Sequence, residues 1–235
     1  MNNNNNNKNF DKLDKIKDVK YLNLVKNSFK LSCLVLVAST FITFIEALKT
    51  DNKKARHILN LETAVSFVAS YVYSIFSGMA DKDDFSLKNI TAYRYMDWVV
   101  TTPMLLLALL LFTTYLNKDE LHIGRYLLVL FLNYGMLLFG YLGEINKINR
   151  TLALTIGSLF FIILILFIWF KYIHGRNIKI QKIVFIVFTI VWSLYGVAFT
   201  FDEKTKNITY NFLDIISKVF FGLFMWVYYG GVMIA

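Results

Sequence analysis

Residues 152–173 read LALTIGSLFFIILILFIWFKYI, and Lys171 is the only charge in the stretch. Wound as an α-helix, these residues reach roughly 33 Å at 1.5 Å each, enough for a hydrocarbon layer about 30 Å thick. Inside that layer each backbone N–H and C=O must find a partner within the protein, and a helix supplies them all. The same signature recurs at residues 31–48, 58–79, 91–116, 121–143, 183–201 and 208–235. Seven such segments predict an all-α fold, a bundle of seven transmembrane helices. Composition agrees: 57% of the 235 residues are hydrophobic and 17% charged, against about 45–50% and 25% in soluble domains. Cys33 is the only cysteine, so no disulfide framework holds the chain together. The bilayer is the first partner. The net charge of +9 bears on orientation in that membrane and gives no ground for a nucleic-acid partner.

Residues 1–30 are expected to form a separate region ahead of the seven-helix domain of residues 31–235. The tract Asn2 to Asn7 cannot bury apolar surface and is expected to be disordered. From Phe10 through Leu13, Ile16, Val19 and Leu22 to Val25, apolar residues recur every third position. That spacing predicts a short amphipathic helix on the membrane surface. Seven crossings put the termini on opposite sides. The 1–2, 3–4 and 5–6 junctions hold ten lysines and arginines and the others six, which places the carboxyl terminus in the cytoplasm and the amino terminus outside. The tail's seven lysines argue the other way. Asn-x-Thr sequons at Asn89, Asn149 and Asn207 fall at the outer junctions, as glycan acceptors must, although such residues also cap helices.

Ionisable side chains inside spans are costly, and they usually face the bundle interior to serve a function. The seventh segment holds two of them in FLDIISKVFFG, residues 212–222: Asp214 and Lys218, four apart on one helical face. The third begins YRYMDWVVTTP, residues 93–103, with Arg94 and Asp97 one turn apart and Thr101 a turn deeper. On the second segment Glu62, Ser66, Ser70, Tyr73 and Ser77 make a polar stripe nearly the length of the span. Such a stripe could line a hydrated path with Glu62 near its entrance, and equally lets helices pack closely. Glu46 on the first segment has the same two readings. Asp202 and Glu203 could form a proton-release group or be solvated loop acids.

On the motifs of the third and seventh segments, with FGYLGE at residues 139–144, the chain resembles the microbial rhodopsins, above all their proteorhodopsin-like and viral branches. The resemblance covers essentially residues 31–235. It implies a photoreceptor or ion transporter rather than an enzyme, with all-trans retinal joined to Lys218 as an imine. A lysine in an apolar bundle has its charged form disfavoured, which favours the neutral nucleophile. Once joined, the cationic nitrogen must be paired, and Asp97 and Asp214 are the implied counterions with Arg94 balancing the excess. The implied pocket is Trp98, Trp192, Tyr195 and Tyr71, completed by Thr102, Leu105, Met136, Gly140, Gly157, Phe161, Phe199 and Ser217. Leu105 implies green absorption. Gly196 and Phe199 depart from the proline and tryptophan common in the family. A homo-oligomer is also implied.

The resemblance suggests a light-driven outward proton pump with Asp97 as proton acceptor and Thr101 as its hydrogen-bonding neighbour. The position expected to hold a carboxylate donor is Ala108, which cannot hold a proton. That omission and the helix-two stripe keep a light-gated cation channel as the alternative, with a sensory photoreceptor third. A seven-helix solute transporter without chromophore would have to account for Lys218 in another way.

Overall fold

The computed structural model describes residues 3–82 and 87–229, and at residues 3–19, 88, 89, 92 and 229 the backbone alone. Its helices are α1 (Asn3–Lys49), α2 (Lys53–Ala80), α3 (Leu87–Asn117), α4 (Ile123–Glu144), α5 (Arg150–Ile168), α6 (Lys179–Phe199), α7 (Glu203–Asp214) and α8 (Phe221–Tyr229). A π-helical turn, Trp169–Ile173, extends α5, and a second, Ile215–Phe220, joins α7 to α8. Among the described residues, seven helical stretches are long and apolar enough to cross a membrane, the last being Glu203–Tyr228. The protein is an integral, multi-pass membrane protein.

Within the described side chains the first candidate span covers Lys20–Lys49, and the backbone of α1 is one continuous helix from Asn3 to Lys49. Val25, Ser28, Phe29, Ser32 and Leu36 are all buried on one inward face. Phe29 meets the rings of Tyr73 and Phe76 at centroid distances of 6.4 and 5.4 Å. Lys20 and Lys30 are exposed, and Lys30 reaches Asp81 at 3.3 Å. Asn2, the side chains of residues 3–19, the Asn89 side chain and residues 230–235 lie outside what is described.

Local chemistry explains the helix ends. Asn52 caps α2, accepting from the N–H groups of Lys54 and Ala55, and Asn149 caps α5 through Thr151 and Leu152. Asn149 is thus a helix cap within its sequon, and Asn207 is buried at 3% exposure, so a sugar cannot be attached to it in the folded bundle. Pro103, inside α3, leaves the Val99 carbonyl without its usual partner. The Tyr134 hydroxyl approaches that oxygen at 3.5 Å, and Tyr126 donates to the Pro103 carbonyl at 3.1 Å, so α4 supports the interrupted helix.

Asp202 caps α7, accepting from Lys204 and Thr205. Hydrogen bonds from Thr205 and Lys204 hold its carboxyl below its ordinary pKa. Because the folded value is the lower one, the contribution to stability is full above the ordinary carboxylate range and disappears as pH falls through the lowered value. Asp202→Ala is expected to cost about 1 kcal/mol, read as a lower thermal midpoint at neutral pH, with the difference from wild type shrinking in strong acid.

Candidate functional site

Helix α3, the end of α7 and the π-helical turn after it bring four charges together in the interior of the bundle. The Lys218 Nζ lies 2.5 Å from Asp97 Oδ2 and 3.6 Å from Asp214 Oδ2. Arg94 stands on the other side of Asp214, 3.6 Å from the same oxygen. All four side chains are 1–2% exposed. Two cations and two anions sum to zero, the condition for holding charge in a medium that cannot solvate it. Lys218 lies within the π-helical turn Ile215–Phe220, a local widening found often at functional positions.

Neutral donors fix the set. Asp214 accepts from Tyr195 at 2.7 Å, Tyr73 at 2.8 Å and the Trp98 indole at 3.2 Å, so both its oxygens are occupied. Arg94 donates to the side-chain oxygens of Asn211 at 2.8 Å, Asn207 at 3.2 Å and Tyr73 at 3.1 Å. Asn211 in turn donates to Ser28 of α1. Asp97 is less constrained: Oδ2 holds Lys218, while Oδ1 has no partner. The Thr101 hydroxyl donates to the Asp97 backbone carbonyl at 2.9 Å and not to its carboxylate, because i to i−4 geometry brings that oxygen within reach.

A cavity of about 570 Å³ opens at Lys218 and runs between α3, α4, α5, α6 and α7. Trp98, Thr102, Leu105, Met136, Gly140, Gly157, Phe161, Trp192, Tyr195, Phe199 and Ser217, expected from the sequence, all line it. Tyr71 does not. It is 64% exposed, since two residues turn a helix by roughly 200° and Tyr73 occupies the inward position. A Cβ at Gly140 would lie 2.7 Å from the Tyr95 hydroxyl, so any larger residue there would have to displace that ring. Thr102 is tied to α4 by Asn133 at 2.8 Å. Size, apolar walls and a single amine at one end suit a long apolar aldehyde.

The bacteriorhodopsin-like protein family model matches residues 23–231. This chain is a microbial rhodopsin. A green-light absorbing proteorhodopsin from Gamma-proteobacterium EBAC31A08 is 26% identical over 216 residues, covering 85% of this chain and 84% of its own. The crystal structure of viral rhodopsin OLPVRII is 36% identical with a TM-score of 0.83, covering 89% of this chain and 99% of that one. A blue light-absorbing proteorhodopsin from Med12 shares the fold at 22% identity and TM-score 0.73, with 90% and 99% covered. The rhodopsin therefore belongs to a family of light-driven ion transporters that carry retinal bound covalently to a lysine.

Away from the charge cluster the rhodopsin's polar residues divide. On α2, Ser66 meets Ser39 of α1 at 3.3 Å, while Ser70 donates to its own helix at Phe67. The stripe thus divides: Ser66 faces α1, Tyr73 joins the charge cluster, and Glu62 is fully buried with neither carboxyl oxygen bonded, as is the Ser77 hydroxyl. Glu46 is held by the Trp226 indole at 3.1 Å. Asp202 is the cap described above and faces water. Glu203 belongs to a cluster the sequence did not suggest, in which Lys206, 1% exposed, holds Glu144 at 2.6 Å and Glu203 at 2.8 Å. Lys206 was counted among the junction charges, but it is consumed inside the bundle. Tyr73, Asn207 and Asn211 were likewise not assigned to the charge cluster. For Asn207 and Asn211, the spacing along α7 with Asp214 (207, 211, 214) was the available signal.

Replacing Gly140 by Ala should force the Tyr95 ring aside, at about 1–3 kcal/mol, and shift the visible maximum of the pigment. Adding Tyr95→Phe, which removes the crowding hydroxyl, should restore much of the thermal midpoint. No recovery in the double variant would place the strain elsewhere.

Proposed function

We propose that this rhodopsin is a light-driven outward proton pump, with Lys218 as the retinal attachment and Asp97 as the acceptor of its proton. The observation that carries the reading is the 2.5 Å contact between Lys218 and Asp97, with Asp97 Oδ1 left unbonded. When bound, retinal supplies a photoisomerisation that changes where the Lys218 nitrogen points. Asp97 has a free oxygen on which to stabilise an arriving proton. Asp214 has both oxygens engaged by three donors and remains a fixed anion, so the two acids divide the work. Arg94 holds the field on the outer side, next to Asn207 and Asn211.

Outward direction follows from orientation. With Lys206 buried, the loop charges stand at ten against five, favouring a cytoplasmic carboxyl terminus. The Arg94 end of α3 then faces outside. The lysine tail opposes this assignment, and the buried Asn207 and capping Asn149 no longer support it. Green absorption, as in the proteorhodopsin relative, and assembly with further copies belong to the same reading. The channel alternative drew on the helix-two stripe. Its support is weakened by close packing there, with Thr63 2.9 Å from Thr43 and Ser66 against Ser39.

Lys218→Ala should give no visible band after addition of all-trans retinal, and a surviving covalent pigment would remove Lys218 as the attachment. Asp97→Asn should shift the band to the red, because losing the negative charge beside the nitrogen raises the ground state relative to the excited state. Photocurrents should keep one direction at zero driving force. Currents that reverse with the ion gradient would identify a channel instead.

A further inference from the structure

The start of α5 and the end of α6 meet at one side chain. Helix α6 stops at Phe199, and a helix end leaves its last carbonyls without donors of its own. Two of them are met by the turn that follows: the Thr200 N–H returns to Val197 at 3.0 Å and the Phe201 N–H to Ala198 at 3.1 Å. The Phe199 carbonyl is met from another helix. Arg150, the first residue of α5, donates to it through its guanidinium and also approaches the Phe201 carbonyl at 3.5 Å. A cation is favoured at such an end, where the carbonyls carry partial negative charge.

The same guanidinium lies over the Phe199 ring, 4.9 Å from its centroid. Phe199 is buried, and it is one wall of the cavity that opens at Lys218. Its ring tip meets α4: a Cβ on Gly143 would stand 3.1 Å from Phe199 Cζ and would collide with Ala153 as well. The ring is therefore held between a guanidinium and bare helix backbone. Arg150 itself is exposed, so water and salt screen its charge, and what it passes inward is position. Planarity lets one side chain do both tasks. A guanidinium donates in its plane to a carbonyl while its face rests on a ring, whereas an ammonium brings charge without a face.

We propose that Arg150 is a positioning residue for the chromophore, acting through Phe199. By gripping the last α6 carbonyl and the ring face together, it fixes the wall that retinal meets on the α4 side of the pocket. A ring free to turn and tilt would offer the polyene a variable surface. Closely packed interiors transmit such shifts, and a conjugated chain changes its absorption with the twist that packing imposes on it. This inference rests on the reading of the cavity as the site of retinal on Lys218, and adds to it what holds one wall in place.

The test uses the full chain, first without retinal and then loaded with all-trans retinal. Without retinal, the aromatic NMR signals of Phe199, assigned by their loss in Phe199→Leu, should report slow ring turning in wild type. Turning should be fast in both Arg150→Gln and Arg150→Lys. The thermal midpoint should fall in Arg150→Gln and fall less in Arg150→Lys, which keeps a cation at the helix end. Once loaded, both variants should shift the visible maximum alike, and Arg150→Gln should add no shift in a Phe199→Leu background. An unshifted maximum, or a ring whose motion is unchanged, would overturn the role and leave Arg150 a helix cap alone. A wild-type spectrum in Arg150→Lys, or a shift that survives in Phe199→Leu, would overturn it too, since charge would then act without the ring. If Arg150→Gln does not fold, Arg150→Lys decides by the same two readouts. A wild type that forms no visible band would overturn the pocket reading, while ring motion in the retinal-free chain would still judge the clamp.

Discussion

The structure depends on holding four charges inside a protein whose surroundings cannot solvate them. Lys218, Asp97, Asp214 and Arg94 sum to zero and are buried to within 2% of complete exclusion. Removing one partner from such a set typically costs about 3–5 kcal/mol, because the remaining charge is left unpaired. Much of the bundle's interior can be understood as support for that neutrality. Tyr73 from α2, Trp98 from α3 and Tyr195 from α6 all donate to one carboxylate, Asp214. Asn211 passes the network on to Ser28 of α1. Four helices meet at Asp214, and a fifth is tied in behind them.

The two carboxylates are unequal, and their inequality has a functional consequence. Asp214 is saturated with donors, while Asp97 has a single partner and one free oxygen. A proton arriving at the saturated acid would have to displace a hydrogen bond, whereas Asp97 can accept one at its free oxygen. Nearby, the lysine sits in a π-helical turn, where the wider helix changes how its side chain projects into the cavity. In the proposed reading, geometry more than the identity of the residues separates a fixed counterion from a proton acceptor.

The two halves of the bundle differ in the same way. The half containing Arg94 is dense with amides, phenols and charges, extending to the buried Lys206 and its two glutamates. The other half has an apolar α3 face of Leu105, Leu106, Ala108, Leu109 and Phe112, and a Glu62 with neither oxygen bonded. A protein that moves charge in one direction needs such asymmetry, since equal access from both sides would dissipate whatever the light step had achieved.

Seven crossings were legible in the sequence, because 20-residue apolar runs have few alternatives in a chain with so little charge. Lys218, Asp97, Asp214 and Arg94 were legible too, since a charge within an apolar span stands out against its neighbours. Most of the cavity lining was also recoverable, through family resemblance. Tertiary structure decided the rest. Periodicity could not tell that Val25 and Phe29 are buried in a cluster with Tyr73 and Phe76 of α2, because spacing along α1 does not reveal which helix its apolar face meets. Whether Tyr71 or Tyr73 turns inward depends on the rotation of α2, which packing against α1 fixes. That Asn207 binds Arg94 rather than a sugar, that Lys206 is buried, and that Glu62 has neither carboxyl oxygen bonded are facts about neighbours from distant helices. Spacing along one helix records which side chains share a face; only the packed bundle determines what that face meets.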